Sequence, residues 1–282
     1  MDAPGCTLQR DFVSSSTRCG KSMRIARRTR PNDICVTLLG REAMASSIKI
    51  PAADSNAATS TVHHASPPLG LVAIILTILF GAGLCFVISF RAGEPNFPRP
   101  WESADTIVTY FQAHSWAVLM CAFFHFGAAI ALGEFAVSTM SRLRFFGVNA
   151  SGAYIALFGG LMAAFNMAVS STVLWVMSSP AVAQNSAVLP ALYYLQFALG
   201  GVGFSIPIAV FMAGVCIPSA FMKLLPKWIV IFGLVLTGIG ALSWFSWVFP
   251  KLCFLIPLTI FPTFVWMIAA GVAFPKSIDR SR

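Results

Sequence analysis

Apolar residues are gathered in six long runs after residue 68, separated by short polar connections. Each run has the roughly 20 residues that a helix needs to cross the hydrocarbon core of a bilayer. We therefore predict an all-α fold, a polytopic bundle of six transmembrane helices. The predicted spans are residues 69–90, 113–140, 148–177, 189–216, 228–249 and 252–274, within a membrane domain over 69–276.

The longest connection, residues 91–112, contains its own pattern. Pro95, Pro98 and Pro100 argue against regular structure at its start, and Ser103 is a candidate N-cap for a short helix over 104–113. The apolar side chains at helical spacing in this helix predict an amphipathic segment in the membrane interface. An ordinary loop packed on the protein is the alternative.

The fourth run continues to residue 222, which is longer than one crossing needs. Pro207 lies inside it, just after Gly200, Gly201 and Gly203. Proline removes a backbone hydrogen bond from a helix, so this pattern predicts a kink whose freed groups are satisfied by neighbours or by water.

Residues 1–68 are polar and lack a sustained apolar period, so we predict a disordered N-terminal tail. Met44 opens a plausible native start, which makes residues 1–43 a candidate mis-assigned extension. A tryptic peptide from before Met44 in the expressed protein would contradict that hypothesis. Residues 277–282 are predicted to be a short cytoplasmic tail.

Charge fixes the expected surface and orientation. Only 10% of the 282 residues are charged, too few for a water-facing surface, so most of the surface must face lipid. The net charge of +9 does not indicate nucleic-acid binding, because nine of the 19 Lys and Arg residues lie before residue 50.

The positive-inside rule predicts cytoplasmic N- and C-termini in a multi-pass protein of the bacterial cytoplasmic membrane. With that orientation the outer connections hold Arg91, Arg99 and Lys251. The inner segments hold seven basic residues: Arg142, Arg144, Lys223, Lys227, Lys276, Arg280 and Arg282.

Glu134 is the first candidate for chemistry, since it is the one carboxylate inside an apolar run and such groups are costly in hydrocarbon. Gly127, Ala131 and Ser138 fall on the same side of the helix, which indicates an inward orientation. Proton or ion handling is one interpretation. The other is a structural carboxylate, hydrated or paired with Arg142 or Arg144 near the inner interface.

His125 lies near the middle of the same run and about 180° from Glu134, so the two cannot pair within one helix. It could hydrogen-bond Asn166, expected at similar depth, either as a packing histidine or as a titrating relay. If only one of the two ionisable groups is buried, we expect His125 to face lipid or a partner. Gln196 above the glycine cluster and Tyr154 near the inner end complete the candidate intramembrane polar site.

Several kinds of chemistry lack a sequence signal. The seven cysteines form no C-x-x-C motif and no Cys/His cluster at metal spacing, so neither a zinc site nor a disulfide framework is indicated. No metal and no cofactor are predicted. Phosphate-binding loops, dinucleotide fingerprints and hydrolase motifs are also missing from the sequence.

Four short motifs carry a family likeness: Ser103-Ala104 with Tyr110 and His114-Ser115, Arg142-Leu143-Arg144, Pro226-Lys227-Trp228, and Phe261-Pro262 with Trp266. Over about residues 70–276 the chain resembles a domain-of-unknown-function family of uncharacterised six-span bacterial integral membrane proteins. The resemblance implies a six-helix membrane fold and no specific activity.

Two functional classes follow from these observations. The first is a non-enzymatic membrane protein that binds or senses a ligand, or partners another membrane protein or a second copy of itself. The second is a small proton- or ion-linked transporter using Glu134.

Overall fold

The computed structural model describes residues 61–64, 66–88, 96–149 and 151–279. Its helices and strands, in chain order, are β1 (Thr61–His63), α1 (Leu69–Val87), α2 (Ala104–Ala113), α3 (Ser115–Phe145), α4 (Gly152–Met177), α5 (Pro180–Ala183), α6 (Leu189–Gly200), α7 (Val202–Met222), α8 (Lys227–Leu242), α9 (Leu255–Ala273) and β2 (Ser277–Asp279). Two 3-10 helices, Ser243–Trp247 and Pro250–Phe254, connect α8 to α9.

The predicted all-α, six-span architecture is confirmed. Within the described residues, six helical segments are long and apolar enough to cross a membrane: Leu69–Val87, Ser115–Phe145, Gly152–Met177, Leu189–Met222, Lys227–Trp247 and Pro250–Ala273. The protein is therefore a multi-pass membrane protein in contact with a lipid bilayer.

The spans pack in chain order and close into a ring. Helix α1 packs on α3, α3 on α4, α4 on α7, α7 on α8 and α8 on α9, and α9 returns to α1. Large buried side chains from several spans, including Phe135, Phe211 and Trp266, fill the interior. Because α3 packs on α1 and on α4, the second span is held by two neighbours.

The two strands join the segments that flank the ring. Residues Thr61–His63 pair antiparallel with Ser277–Asp279, and the His64 N–H donates to the Lys276 carbonyl at 3.1 Å. Regular structure therefore begins before the predicted limit at residue 68 and extends past residue 276. The predicted tail over residues 1–60, the hypothesis about residues 1–43 and the last three residues lie outside the described residues.

Helix α2 has the bounds that the sequence predicts. The Ser103 hydroxyl accepts a hydrogen bond from the Thr106 N–H at 3.2 Å and so caps the helix. Its apolar stripe does not face outward, since Ile107 and Phe111 are fully buried against the neighbouring spans. The buried Tyr110 hydroxyl donates to the Val87 carbonyl at 3.3 Å, and burial raises the pKa of this phenol to about 12. The alternative of a packed connection describes this segment better than an interfacial helix.

The fourth span is broken rather than kinked. Helix α6 ends at Gly200 and α7 begins at Val202, with Gly201 between them at φ −90° and ψ −96°. A Cβ atom on Gly201 would lie 2.6 Å from the Phe197 carbonyl oxygen, so only glycine fits this turn. Pro207 lies inside α7, six residues beyond the break.

Candidate functional site

A cavity of about 190 Å³ lies beside the break in the fourth span. Gly200 and Gly201 form part of its wall, and its polar lining comes from His125, Ser170, Ser171 and Gln196. The remaining lining is apolar and includes Phe80, Phe197 and Ile256. At roughly 30 Å³ per water molecule, this space takes a small organic molecule or a few waters.

Gln196, one of the lining residues of this cavity, has an unpaired acceptor. Its Nε2 donates to the Ser170 hydroxyl at 3.2 Å, and that hydroxyl donates to the backbone carbonyl of Gln196 at 3.2 Å. This chain of donors fixes which end of the amide faces Ser170. The other end, Oε1, is buried and accepts no hydrogen bond within the described part of the chain. A buried amide oxygen without a donor costs on the order of 1–3 kcal/mol, so a hydrogen-bond donor in the cavity would be stabilised there.

His125 is held against α1 and is already satisfied. Its Nε2 donates to the Phe80 carbonyl at 3.2 Å, its ring stacks on Phe80 with centroids 4.5 Å apart, and Nδ1 lies 3.6 Å from the Cys121 sulfur. A Cβ atom on Gly83 would lie 2.6 Å from the His125 ring, so a glycine at this position is needed for the imidazole to fit. The expectation that His125 faces lipid or a partner is wrong, because it packs inward and lines the cavity.

The hydrogen bond between His125 and Asn166 that the sequence suggested is not formed. The Asn166 side-chain amide donates instead to the Gly203 carbonyl. Pro207 has no N–H for that carbonyl four residues earlier, so Asn166 supplies the donor that the proline removes. The predicted satisfaction of the proline's freed group by a neighbour is confirmed, and Asn166 has a structural role next to the cavity.

Glu134 lies apart from this cavity on an exposed side of α3. Ala131 and Ser138 beside it are buried, whereas Ile130 and Val137 on its other side are 62% and 50% exposed. The small-residue stripe packs as expected, but Glu134 falls just outside its edge, so the inward orientation predicted for it is wrong. Within the described residues, no hydrogen bond or ion pair joins this carboxylate to Arg142 or Arg144.

Tyr154 is also separate from the cavity. It is exposed near the start of α4, where its hydroxyl accepts a hydrogen bond from Arg144 at 2.6 Å and its ring lies 5.4 Å below the guanidinium. The structure therefore groups His125 and Gln196 around one space with Asn166 beside it, and places Glu134 and Tyr154 elsewhere.

A wider crevice of about 770 Å³ opens at the end of the bundle where α2 begins. Its lining includes Arg99, Trp101 and Lys251, and also Phe197 and Ile256. These last two side chains also line the inner cavity, so they separate the two spaces.

Sequence reasoning missed Ser170 and the location of the helix break. Serine in a spanning helix commonly bonds its own backbone, so Ser170 gave no separate signal. The cluster Gly200, Gly201 and Gly203 did carry a signal for the break, but Pro207 drew the expected distortion to itself.

No group of three or more His, Cys, Asp or Glu residues that could hold a metal ion occurs in the part of the chain that the structure describes. No protein-family model, curated protein or solved structure matches the chain.

Proposed function

We propose that this multi-pass membrane protein is a non-enzymatic binding protein, and that it binds a small hydrogen-bond donor in the cavity at the break of the fourth span. The buried, unpaired Oε1 of Gln196 beside that cavity carries the proposal. Discontinuous helices around a mid-membrane site are a recurrent way of building binding sites in membrane proteins.

The lining favours binding over catalysis. His125 Nε2 donates its hydrogen to the Phe80 backbone carbonyl, and the Ser170 hydroxyl donates its hydrogen to the Gln196 backbone carbonyl. Neither group is placed as the nucleophile-and-base pair that covalent catalysis needs. Phe197 and Ile256 line both the wider crevice and the cavity, so we propose the crevice as the route by which a ligand reaches the cavity.

A thermal-shift comparison tests this proposal with primary alcohols, primary amides and primary ammonium compounds as probes. At least one probe class is expected to raise the Tm of the detergent-solubilised wild-type chain. Gln196→Leu should abolish the shift, while Gln184→Leu, at an exposed loop glutamine, should keep it. A wild-type Tm that no probe moves, or an equal shift in Gln196→Leu, would contradict ligand binding and leave a cavity occupied by water alone.

Proton- or ion-linked transport using Glu134 is the second candidate, and the broken fourth span favours it. Glu134 would then act from the exposed face of α3, away from the cavity. In liposomes that report internal pH, Glu134→Gln should abolish a flux that Glu102→Gln retains. An unchanged flux would reject this role.

The exposed position of Glu134 also supports a partner role. A carboxylate on an apolar surface is costly in lipid, and a second membrane helix, from another protein or from a second copy, would cover it. Purification in mild detergent should then retain that chain, whereas repeated recovery of a lone monomer would count against it. We place the protein in a bacterial cytoplasmic membrane, consistent with the resemblance of its motifs to six-span bacterial proteins.

A further inference from the structure

A buried arginine lies in the last turns of α3, at the other end of the bundle from the crevice. Arg142 is only 3% exposed. Its Nε donates to the Ser66 hydroxyl and its Nη2 to the Pro67 carbonyl, each at 3.0 Å. Its Nη1 is buried and has no hydrogen-bond partner in the described residues. The guanidinium thus contacts the residues before α1 through Nε and Nη2, and its Nη1 donors remain unused within the part of the chain that the structure describes.

A second unpaired group lies in the same place. His64 Nε2 is 3.2 Å from the Ser141 hydroxyl, and the ring packs edge-on against Phe145 with centroids 4.8 Å apart. Its Nδ1 is buried and unpaired among the described residues. In the tautomer in which Ser141 donates to Nε2, Nδ1 carries the hydrogen and is a free donor, and this is the tautomer that binds an anion. Burial, and then the charge of Arg142, lower the pKa of His64, so the ring stays neutral near pH 7.

The charge of Arg142 has no counter-ion among the described residues. The two groups that accept its hydrogen bonds, a hydroxyl and a carbonyl, are neutral. A buried charge without an opposite charge is strongly disfavoured, and Arg is suited to bidentate contact with a phosphate.

We propose that Arg142 and His64, the imidazole being positioned by the Ser141 hydroxyl, form a binding site for a phosphate group. Since both free donors are buried, the anion binds by taking the place of the two neutral acceptors of Arg142, the Ser66 hydroxyl and the Pro67 carbonyl. The site lies beside the start of α1 at Leu69, where an apolar span ends and phospholipid head groups lie. The phosphate belongs either to such a head group or to a free anion. This site is independent of the proposed ligand cavity.

The test compares inorganic phosphate, phosphatidylglycerol and diacylglycerol, each added to the delipidated full-length protein in neutral detergent with NaCl matching the ionic strength. Inorganic phosphate or phosphatidylglycerol should raise the wild-type Tm by about 3 °C or more at saturation, and diacylglycerol should not. A shift with inorganic phosphate identifies a site open to free anions, and a shift with phosphatidylglycerol alone identifies a lipid site.

Three variants assign the shift to these residues. Arg142→Gln and His64→Phe, which keeps a ring against Phe145, should lose it. Arg144→Gln, two residues away and exposed, should keep it. If Arg142→Gln does not fold, His64→Phe decides alone. No wild-type shift with either phosphate compound, or an undiminished shift in His64→Phe, would overturn the proposal.

Discussion

At the scale of single residues, several polar side chains inside the spans hydrogen-bond the backbone of a neighbouring helix, and others, such as Thr77 and Ser171, bond their own helix. Asn166 bonds the Gly203 carbonyl, His125 the Phe80 carbonyl and Trp266 the Ile229 carbonyl. In hydrocarbon no water is present to satisfy such groups, so each of these contacts also fixes how two helices pack. Gln196 Oε1 and Arg142 Nη1 are two of the seven buried side-chain atoms without a partner in the described residues, and each belongs to one of the two proposed sites.

The pairing of Asn166 with the carbonyl that Pro207 frees gives a prediction. Asn166→Leu should lower the free energy of unfolding by about 1–3 kcal/mol, because the Gly203 carbonyl loses its donor. In a Pro207→Ala background the restored N–H can bond that carbonyl, so the same substitution should cost markedly less. A double-mutant cycle by denaturant titration in detergent measures the difference.

Asn149→Leu, at an exposed position in the connection between α3 and α4, serves as the control and should change little. Equal costs of Asn166→Leu in the two backgrounds would show that Asn166 does not compensate for Pro207.

Which of the two ionisable groups on α3 faces inward could not be read from the sequence. Helical geometry correctly separated His125 from Glu134 around the helix. His125 faces inward because Gly83, in another span, leaves room for the imidazole. Glu134 is exposed because the contacts that bury Ala131 and Ser138 do not extend to it. Both facts belong to helix packing, which one sequence does not specify.

At the scale of elements, local signals were sufficient where a short chain segment decides the outcome. Helix α2 has its predicted bounds because the Ser103 cap acts within one turn. The fourth span shows the opposite case. Glycines and a proline both disfavour helix, and the chain breaks at Gly201 while Pro207 is accommodated because Asn166 offers a donor.

The break at Gly201 predicts opposite effects for two glycine-to-alanine substitutions. Gly201→Ala should lower the free energy of unfolding by about 1–3 kcal/mol, because the added Cβ meets the Phe197 carbonyl oxygen. Gly238→Ala, inside α8 where a Cβ meets nothing within 4 Å, should raise it by roughly 0.5–1 kcal/mol. Denaturant titration of both variants checks this, and stabilisation by Gly201→Ala would exclude the proposed constraint.

At the scale of the whole molecule, the apolar runs predicted the number of spans but not their arrangement. The closed ring depends on contact between α1 and α9, which are the first and last spans in the chain. Hydropathy has no term for such a distant contact. The pairing of β1 with β2 was also missed, because three-residue strands are too short for any periodic signal.

The excess of basic residues at one end of the ring predicts its orientation in the membrane. In a cysteine-free background, a cysteine replacing Gln184 should react with a membrane-impermeant maleimide on intact cells, and one replacing Lys223 should react only after lysis. Gln184 and Lys223 both lie in exposed connections, at opposite ends of the fourth span. The reverse labelling pattern would show that the N-terminus is outside.

The β1–β2 pairing brings the two ends of the membrane domain together. Thr61 lies opposite Asp279, so the two flanks of the membrane domain already meet across a single ladder of hydrogen bonds. A peptide linker of a few residues could join them, and the chain could be reopened at the exposed connection around Gln184 without dissolving any contact of the ring. In such a permuted chain the six spans would be synthesised in a different order, with the same packing contacts between them.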